Sequence, residues 1–179
     1  MEQMKRKERR LKYRGAIVDF YEDTMEAPDG KNTAWDYIEH RMGAAAVLPV
    51  LPDGKILLVR QHRNALDRDT LEIPAGARNG REEDPKICAA RELEEETGYQ
   101  AESLTPLLTV ATTVAFCNEV IPVYLAEGLK HSKEQHLDEF EFIQTETWTL
   151  QALKEKVLSG EIQDSKTAAA ILAYYAKTH

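Results

Sequence analysis

Cysteine is scarce in this chain: Cys88 and Cys117 are the only two among 179 residues. Neither stands in a Cys-x-x-Cys or zinc-ligand spacing, which argues against a disulfide framework or a structural zinc site and points to the reducing cytoplasm. Apolar runs of membrane-spanning length are missing as well, and the charged opening Met1 to Arg10 lacks the apolar core of a signal peptide. Basic charge is short, with 23 Lys and Arg against 31 Asp and Glu and a net charge of −8 at pH 7. That balance argues against non-specific binding to nucleic acid or to a membrane surface, because both need a broad basic footprint. An anionic ligand must then be attracted by local arginines or by bound metal. The basic opening segment itself reads as a solvated tail rather than an RNA or phosphate contact. No Pro/Gly/Ser-rich linker, internal repeat or low-complexity segment interrupts the chain, so it reads as one globular domain with a full core.

What is present is a succession of punctuated strands and helices. Ala16 to Tyr21 is apolar and β-prone, Pro28-Asp29-Gly30 has turn chemistry, and Thr33 to Arg41 alternates, which predicts a hairpin. Ala44 to Leu51 and Ile56 to Val59 flank Pro52-Asp53-Gly54 and predict a second hairpin of central strands buried on both faces. Asp84-Pro85 offers a capping oxygen and a first-turn proline, and the helix they open is predicted to run to about Thr97, before Gly98. Ile87, Ala90 and Leu93 recur on it at a spacing of three and are expected to face the core. Leu107 to Val114, Val120 to Ala126 and Phe140 to Trp148 read as strands, and Lys130 to Glu139 as a mobile polar stretch. Leu150 to Leu158 and Ser165 to Ala176 read as closing helices. Strands before and after a central helix, with two helices at the end, predict a mixed α/β layered domain.

The densest local signal is Arg91-Glu92-Leu93-Glu94-Glu95-Glu96-Thr97-Gly98-Tyr99. Glu92, Glu95 and Glu96 stand at i, i+3 and i+4 and share one helix face, where like charges repel by a few tenths of a kcal/mol per pair. They also sit at the negative end of the macrodipole. A hard divalent cation, Mg²⁺ or Mn²⁺, reverses the sign of that repulsion. Glu94 points roughly the opposite way, and Arg91 can brace Glu95 by an i, i+4 ion pair. The competing reading of these acids is an exposed acidic helix face.

With Gly76 and Glu83, this run resembles the signature of the Nudix hydrolases, which cleave nucleoside diphosphates linked to another group. The half of the pattern that reads Arg-Glu-apolar-x-Glu-Glu-x-Gly-apolar is matched throughout, with Tyr99 in its last position. Six residues instead of five separate Gly76 from Glu83, a one-residue loop insertion that keeps the helix register. Similarity is greatest to the ADP-ribose pyrophosphatase branch, through Glu72-Ile73-Pro74-Ala75-Gly76, Arg60-Gln61-His62-Arg63, Leu137-Asp138-Glu139-Phe140-Glu141-Phe142 and Gly160 to Thr167. About three quarters of the chain is covered. Thr113-Val114-Ala115 departs from that branch's proline-containing turn and leaves open a wider choice of nucleotide sugar.

The resemblance implies a Nudix-type α/β/α sandwich with a mixed central sheet and an N-terminal β-hairpin extension. Residues 1–42 would form the hairpin region, exchanged in a homodimer, and residues 43–179 the hydrolase domain. It implies Glu92 and Glu96 as metal ligands, Glu95 as a ligand to another ion or through water, and the Ala75 carbonyl as a further ligand. Glu139 is implied as the base that activates water, with Glu141 as the alternative. Arg63, then Arg60 and Arg41, would bind phosphate through paired guanidinium donors. Trp35 is either an adenine-stacking residue or a core tryptophan, and Phe116 and Glu119 either line the terminal-sugar end of the cleft or merely connect strands. The implied activity is Mg²⁺-dependent hydrolysis of ADP-ribose, or of a broader set of nucleoside diphosphate sugars. A non-catalytic nucleotide-sugar sensor is the rival from another class.

Overall fold

The computed structural model describes residues 3–132, 134–137 and 142–179. Strand β1 (Lys5–Arg14) pairs antiparallel with β2 (Val18–Glu26), which pairs with β3 (Asn32–His40). The expected hairpin is β2–β3, closed by a turn in which the Gly30 N–H donates to Ala27 O at 2.9 Å, with Gly30 at φ 85°. The solvated-tail expectation for the basic opening is corrected, since most of it is an ordered edge strand. Charge complementarity gives the reason: Lys7 meets Glu26 at 3.0 Å, Lys12 meets Glu22 at 2.9 Å, and Arg9 clasps Asp23 through two hydrogen bonds. The Arg9 guanidinium also lies 3.4 Å from the centroid of the Tyr37 ring.

Strand β4 (Ala44–Pro49) follows, then β5 (Ile56–Arg63), β6 (Arg68–Glu72) and the short β7 (Ala75–Ala77). Helix α1 (Pro85–Thr97) leads to β8 (Tyr99–Gln100), β9 (Ser103–Ala111), β10 (Val120–Glu127), β11 (Lys130–His131) and β12 (Ile143–Trp148). Helices α2 (Leu150–Leu158) and α3 (Ser165–Thr178) close the chain. One sheet has the order β7-β4-β10-β9, another β12-β5-β6, and β11 pairs with β8. The first is mixed, because β10 runs parallel to β4 while the other pairs are antiparallel.

The expected second hairpin is corrected in its pairing. The Leu51–Lys55 turn forms, with Leu51 N–H donating to Lys55 O at 2.8 Å, but only a single bridge, Val50 with Ile56, joins its arms. Beyond it β4 and β5 enter different sheets, because each finds longer partners elsewhere in the chain. Their burial on both faces is as expected, and it builds the layers. Ala45 and Val47 face α1 with Cys88, Ala89 and Leu93, whereas Ala46 and Leu48 face Leu153 of α2 and Ala170 and Ile171 of α3. The alternation of β4 thus places a helical layer on each side of a mixed sheet, an α/β/α sandwich.

Helix α1 has the predicted limits. Asp84 accepts from Lys86 N at its start, and Gly98, at φ 75°, donates to Glu94 O at its end. Its core face is rotated from the expected one. Ile87 is 62% exposed, and Cys88, Ala89 and Leu93 carry the packing, which brings Glu92 and Glu96 to the edge of the buried face. The Lys130–Glu139 stretch is partly tied down, with β11 paired to β8 and His136 N–H donating to Glu95 O at 2.9 Å. Among the described residues no helix is long and apolar enough to cross a membrane.

Candidate active site

A cleft of about 920 Å³ lies between the N-terminal sheet, the β7 turn and the start of α3. Its floor is the turn Pro74-Ala75-Gly76, held from two sides: Val47 N–H donates to Pro74 O at 3.0 Å, and Ala75 N–H donates to Glu96 Oε2 at 3.1 Å. Gly76 is required by proximity. A Cβ built there would lie 2.3 Å from the Glu92 carboxyl. Glu92 and Glu96, at 8% and 2% exposure, are therefore buried carboxylates pressed against a backbone turn, and the exposed-helix-face reading fails.

Arg91 organises this helix face. One nitrogen, Nη1, donates to Glu92 Oε1 at 2.6 Å and to Glu95 Oε2 at 2.8 Å, while Nη2 donates to Ala77 O at 2.9 Å. Burial alone would push its pKa down, but Glu95, Glu92 and Glu83 more than offset that, so the guanidinium is held charged. Glu83 faces Arg91 at 3.5 Å and accepts from Asn79 N at 2.6 Å, a bond that keeps its carboxyl below the usual range. Glu83 thus closes its own loop, which turns at Gly80 with φ 108°. Glu94 turns away to Gln100 Nε2 and Ser132 Oγ.

The donor chemistry here fits a hard divalent cation: carboxylate oxygens crowded beside a turn that a side chain would fill. Among the described residues no three His, Cys, Asp or Glu side chains form a metal-holding group by themselves. The Ala75 carbonyl and oxygens of a bound ligand would have to complete the shell, which hard cations ordinarily accept. Glu139 and Glu141 lie outside the described residues.

Arg63 lines the cleft with its fork pinned, Nε and Nη2 each donating to Glu72 at 2.6 Å. Burial would raise the Glu72 carboxyl, but Arg63 and Lys166 overcome it and hold the group at about 2. Arg41 also lines the cleft, turned toward Asp19 Oδ1 at 3.2 Å and the carbonyls of Gly15 and Ala16. Glu119 lines it too, accepting from Thr112 Oγ1 at 2.9 Å with His40 Nε2 at 3.5 Å. Bridging of Ile38 to Cys117 draws this loop against the N-terminal sheet.

Arg60 is not brought to the cleft, because strand alternation from Arg63 puts it on another surface, paired with Glu146. Trp35 is 49% exposed, so the core reading is corrected; it lies on β3 and does not line the cleft of this chain. Glu72, Thr70, Asp164 and Lys166 line the cleft and were given no role from sequence. The local signals were a charged residue, Glu72, between apolar Leu71 and Ile73, and the presence of Glu72, Asp164 and Lys166 within two of the segments that resemble the family.

The sequence profile of the NUDIX domain matches residues 40–170. An ADP-ribose pyrophosphatase of Bacillus subtilis strain 168 is 42% identical over 160 residues, which span 89% of this chain and 85% of that protein. An ADP-ribose pyrophosphatase of Mycobacterium tuberculosis H37Rv is 34% identical over 165 residues, 92% of this chain and 79% of that protein. A crystal structure of an ADP compounds hydrolase superposes with a TM-score of 0.86 over 98% of this chain and 94% of its own, at 18% identity, which supports the fold. The carboxylate helix, the glycine turn beneath it and these similarities agree, and the chain belongs to the Nudix hydrolase family.

Proposed function

We propose that this chain hydrolyses the pyrophosphate bond of ADP-ribose to AMP and ribose 5-phosphate. The observation that carries this reading is the 42% identity, across 89% of the chain, to a protein named for that reaction. The site is chemically suited to it. Water adds to one phosphorus, the bridging P–O bond breaks, and the other phosphate departs. Glu92, Glu96 and the Ala75 carbonyl would hold a divalent cation, proposed as Mg²⁺ with Mn²⁺ as a substitute, and Glu95 would hold a second ion directly or through water. Such a cation, when bound, neutralises charge on the diphosphate. Arg91 keeps Glu92 and Glu95 aimed, Arg63 donates to a phosphate oxygen, and Glu139 takes the proton from water, with Glu141 the alternative. Arg41 assists at the phosphates and Glu119 accepts from hydroxyls of the terminal ribose.

Trp35 stacks on adenine in this proposal. Its exposure, and its not lining its own chain's cleft, support a homodimer in which the 1–42 segments are exchanged. Scarce cysteine supports a cytoplasmic location. A broader range of nucleoside diphosphate sugars is the second reading, favoured by Thr113-Val114-Ala115, where Val114 is 85% exposed and Thr113 lines the cleft. A panel of ADP-ribose, ADP-glucose and GDP-sugars assayed with Mg²⁺ decides between them. The highest kcat/KM for ADP-ribose supports the first reading, and a preference for another sugar refutes it.

A further inference from the structure

Lysine is among the residues least often buried, yet Lys166, in the first turn of α3, is only 7% exposed. Its Nζ donates to Glu72 Oε2 and, at 2.9 Å, to Asp164 Oδ2. Glu72 is itself 2% exposed and fully engaged. Oε2 also accepts from Arg63 Nη2 at 2.6 Å, and Oε1 accepts from Arg63 Nε and Thr70 Oγ1, both at 2.6 Å. Arg63 spends two of its five N–H donors on this carboxylate; the others have no partner among the described residues, and the side chain is 40% exposed at the cleft. The same turn of α3 reaches the next peptide, since Ile73 N–H donates to Thr167 Oγ1 at 2.9 Å, two residues before Ala75.

We propose that Lys166 is a positioning residue for phosphate binding, acting through Glu72 to set the aim of Arg63. A buried carboxylate held by Arg63 and Thr70 alone would be free to swing with that arginine. Lys166, itself balanced by Asp164, holds the carboxylate in place, and the bidentate clasp of that carboxylate fixes the plane of Arg63 so that its remaining donors face the cleft. The inference rests on the nucleoside diphosphate hydrolysis proposed above. Fastening α3 to β6 is the purely structural role that Lys166 could have instead.

A double-mutant cycle separates the two. kcat and KM are measured for the wild type, Lys166→Met, Arg63→Ala and the double variant on the best nucleotide sugar of the panel, with circular dichroism and thermal melts on each. Lys166→Met is expected to lower kcat/KM by about tenfold to a hundredfold, as loss of a charged hydrogen-bond partner does, mainly by raising KM. In the Arg63→Ala background the same change is expected to cost less than about twofold. Lys166→Gln, which keeps a donor but loses the charge, serves if the first variant fails to fold and is expected to show the same non-additivity. Equal losses in both backgrounds, or unfolding of both Lys166 variants, overturns the proposal. Wild-type protein inactive on the whole panel would instead defeat the function on which it rests.

Discussion

Gly76→Ala tests the packing of the glutamate helix against its turn. Gly76 is not at positive φ, so alanine imposes no backbone strain. The new methyl would lie 2.3 Å from Cδ and Oε1 of Glu92 and 2.4 Å from Oε2, so the carboxyl must retreat by about 1 Å to reach the roughly 3.4 Å of ordinary contact. That carboxyl is the far end of a flexible side chain, so the fold should lose only roughly 1 kcal/mol. A displacement of about 1 Å at a reacting constellation costs on the order of a hundredfold in rate, and a disturbed ligand set weakens metal affinity by about 10–100-fold. Initial rates across a Mg²⁺ titration, alongside thermal melts, measure both. The expected result is a folded protein with a raised half-saturating Mg²⁺ concentration and a rate lowered about a hundredfold. Unchanged rate and unchanged Mg²⁺ dependence would refute the assignment of Glu92 to the metal.

Three further outcomes are expected. Glu72 has its carboxyl held at about 2, below its ordinary 4.5, so its contribution to stability is full above pH 4.5 and is lost as pH falls from there through about 2. The shift corresponds to roughly 3 kcal/mol as an upper figure, and acid titration of Glu72→Gln should show a shallower loss over that window; an unaltered acid limb would contradict the network. Glu139→Gln should lower kcat by about 10²–10⁴-fold with little change in KM, whereas damage confined to Glu141→Gln would move the base two residues along. Trp35→Ala should raise KM about tenfold, the scale of one lost base-stacking contact, without unfolding a protein in which Trp35 is half exposed. Unaltered KM would remove the stacking role.

Much of the site was legible because it is local. The α1 run carries its own cap, stop, brace and acidic face within fifteen residues, and each follows from helical geometry alone. What failed was non-local. Proximity in sequence suggested a hairpin for β4 and β5, but partners some 77 to 92 residues away, β10 and β12, divide them between sheets. Periodicity alone also misplaced Ile87, since Cys88 and Ala89 are small enough to let α1 settle closer on β4 with its acids at the seam. Lys166 reads as an ordinary helix lysine until α3 is laid against Glu72, and no spacing in the sequence announces that encounter. The ordering of β1 likewise depends on acids of β2 that only strand pairing brings opposite.

Hydrolysis of the ADP-ribose pyrophosphate bond by this chain is proposed to depend on a divalent cation. Incubating the purified chain with ADP-ribose in chelator, then restoring Mg²⁺ in excess, and identifying the products by chromatography and mass spectrometry tests it most directly. No turnover is expected in chelator, and equimolar AMP and ribose 5-phosphate are expected once Mg²⁺ is restored. Turnover that persists in chelator, or intact ADP-ribose after Mg²⁺ is returned, would contradict it.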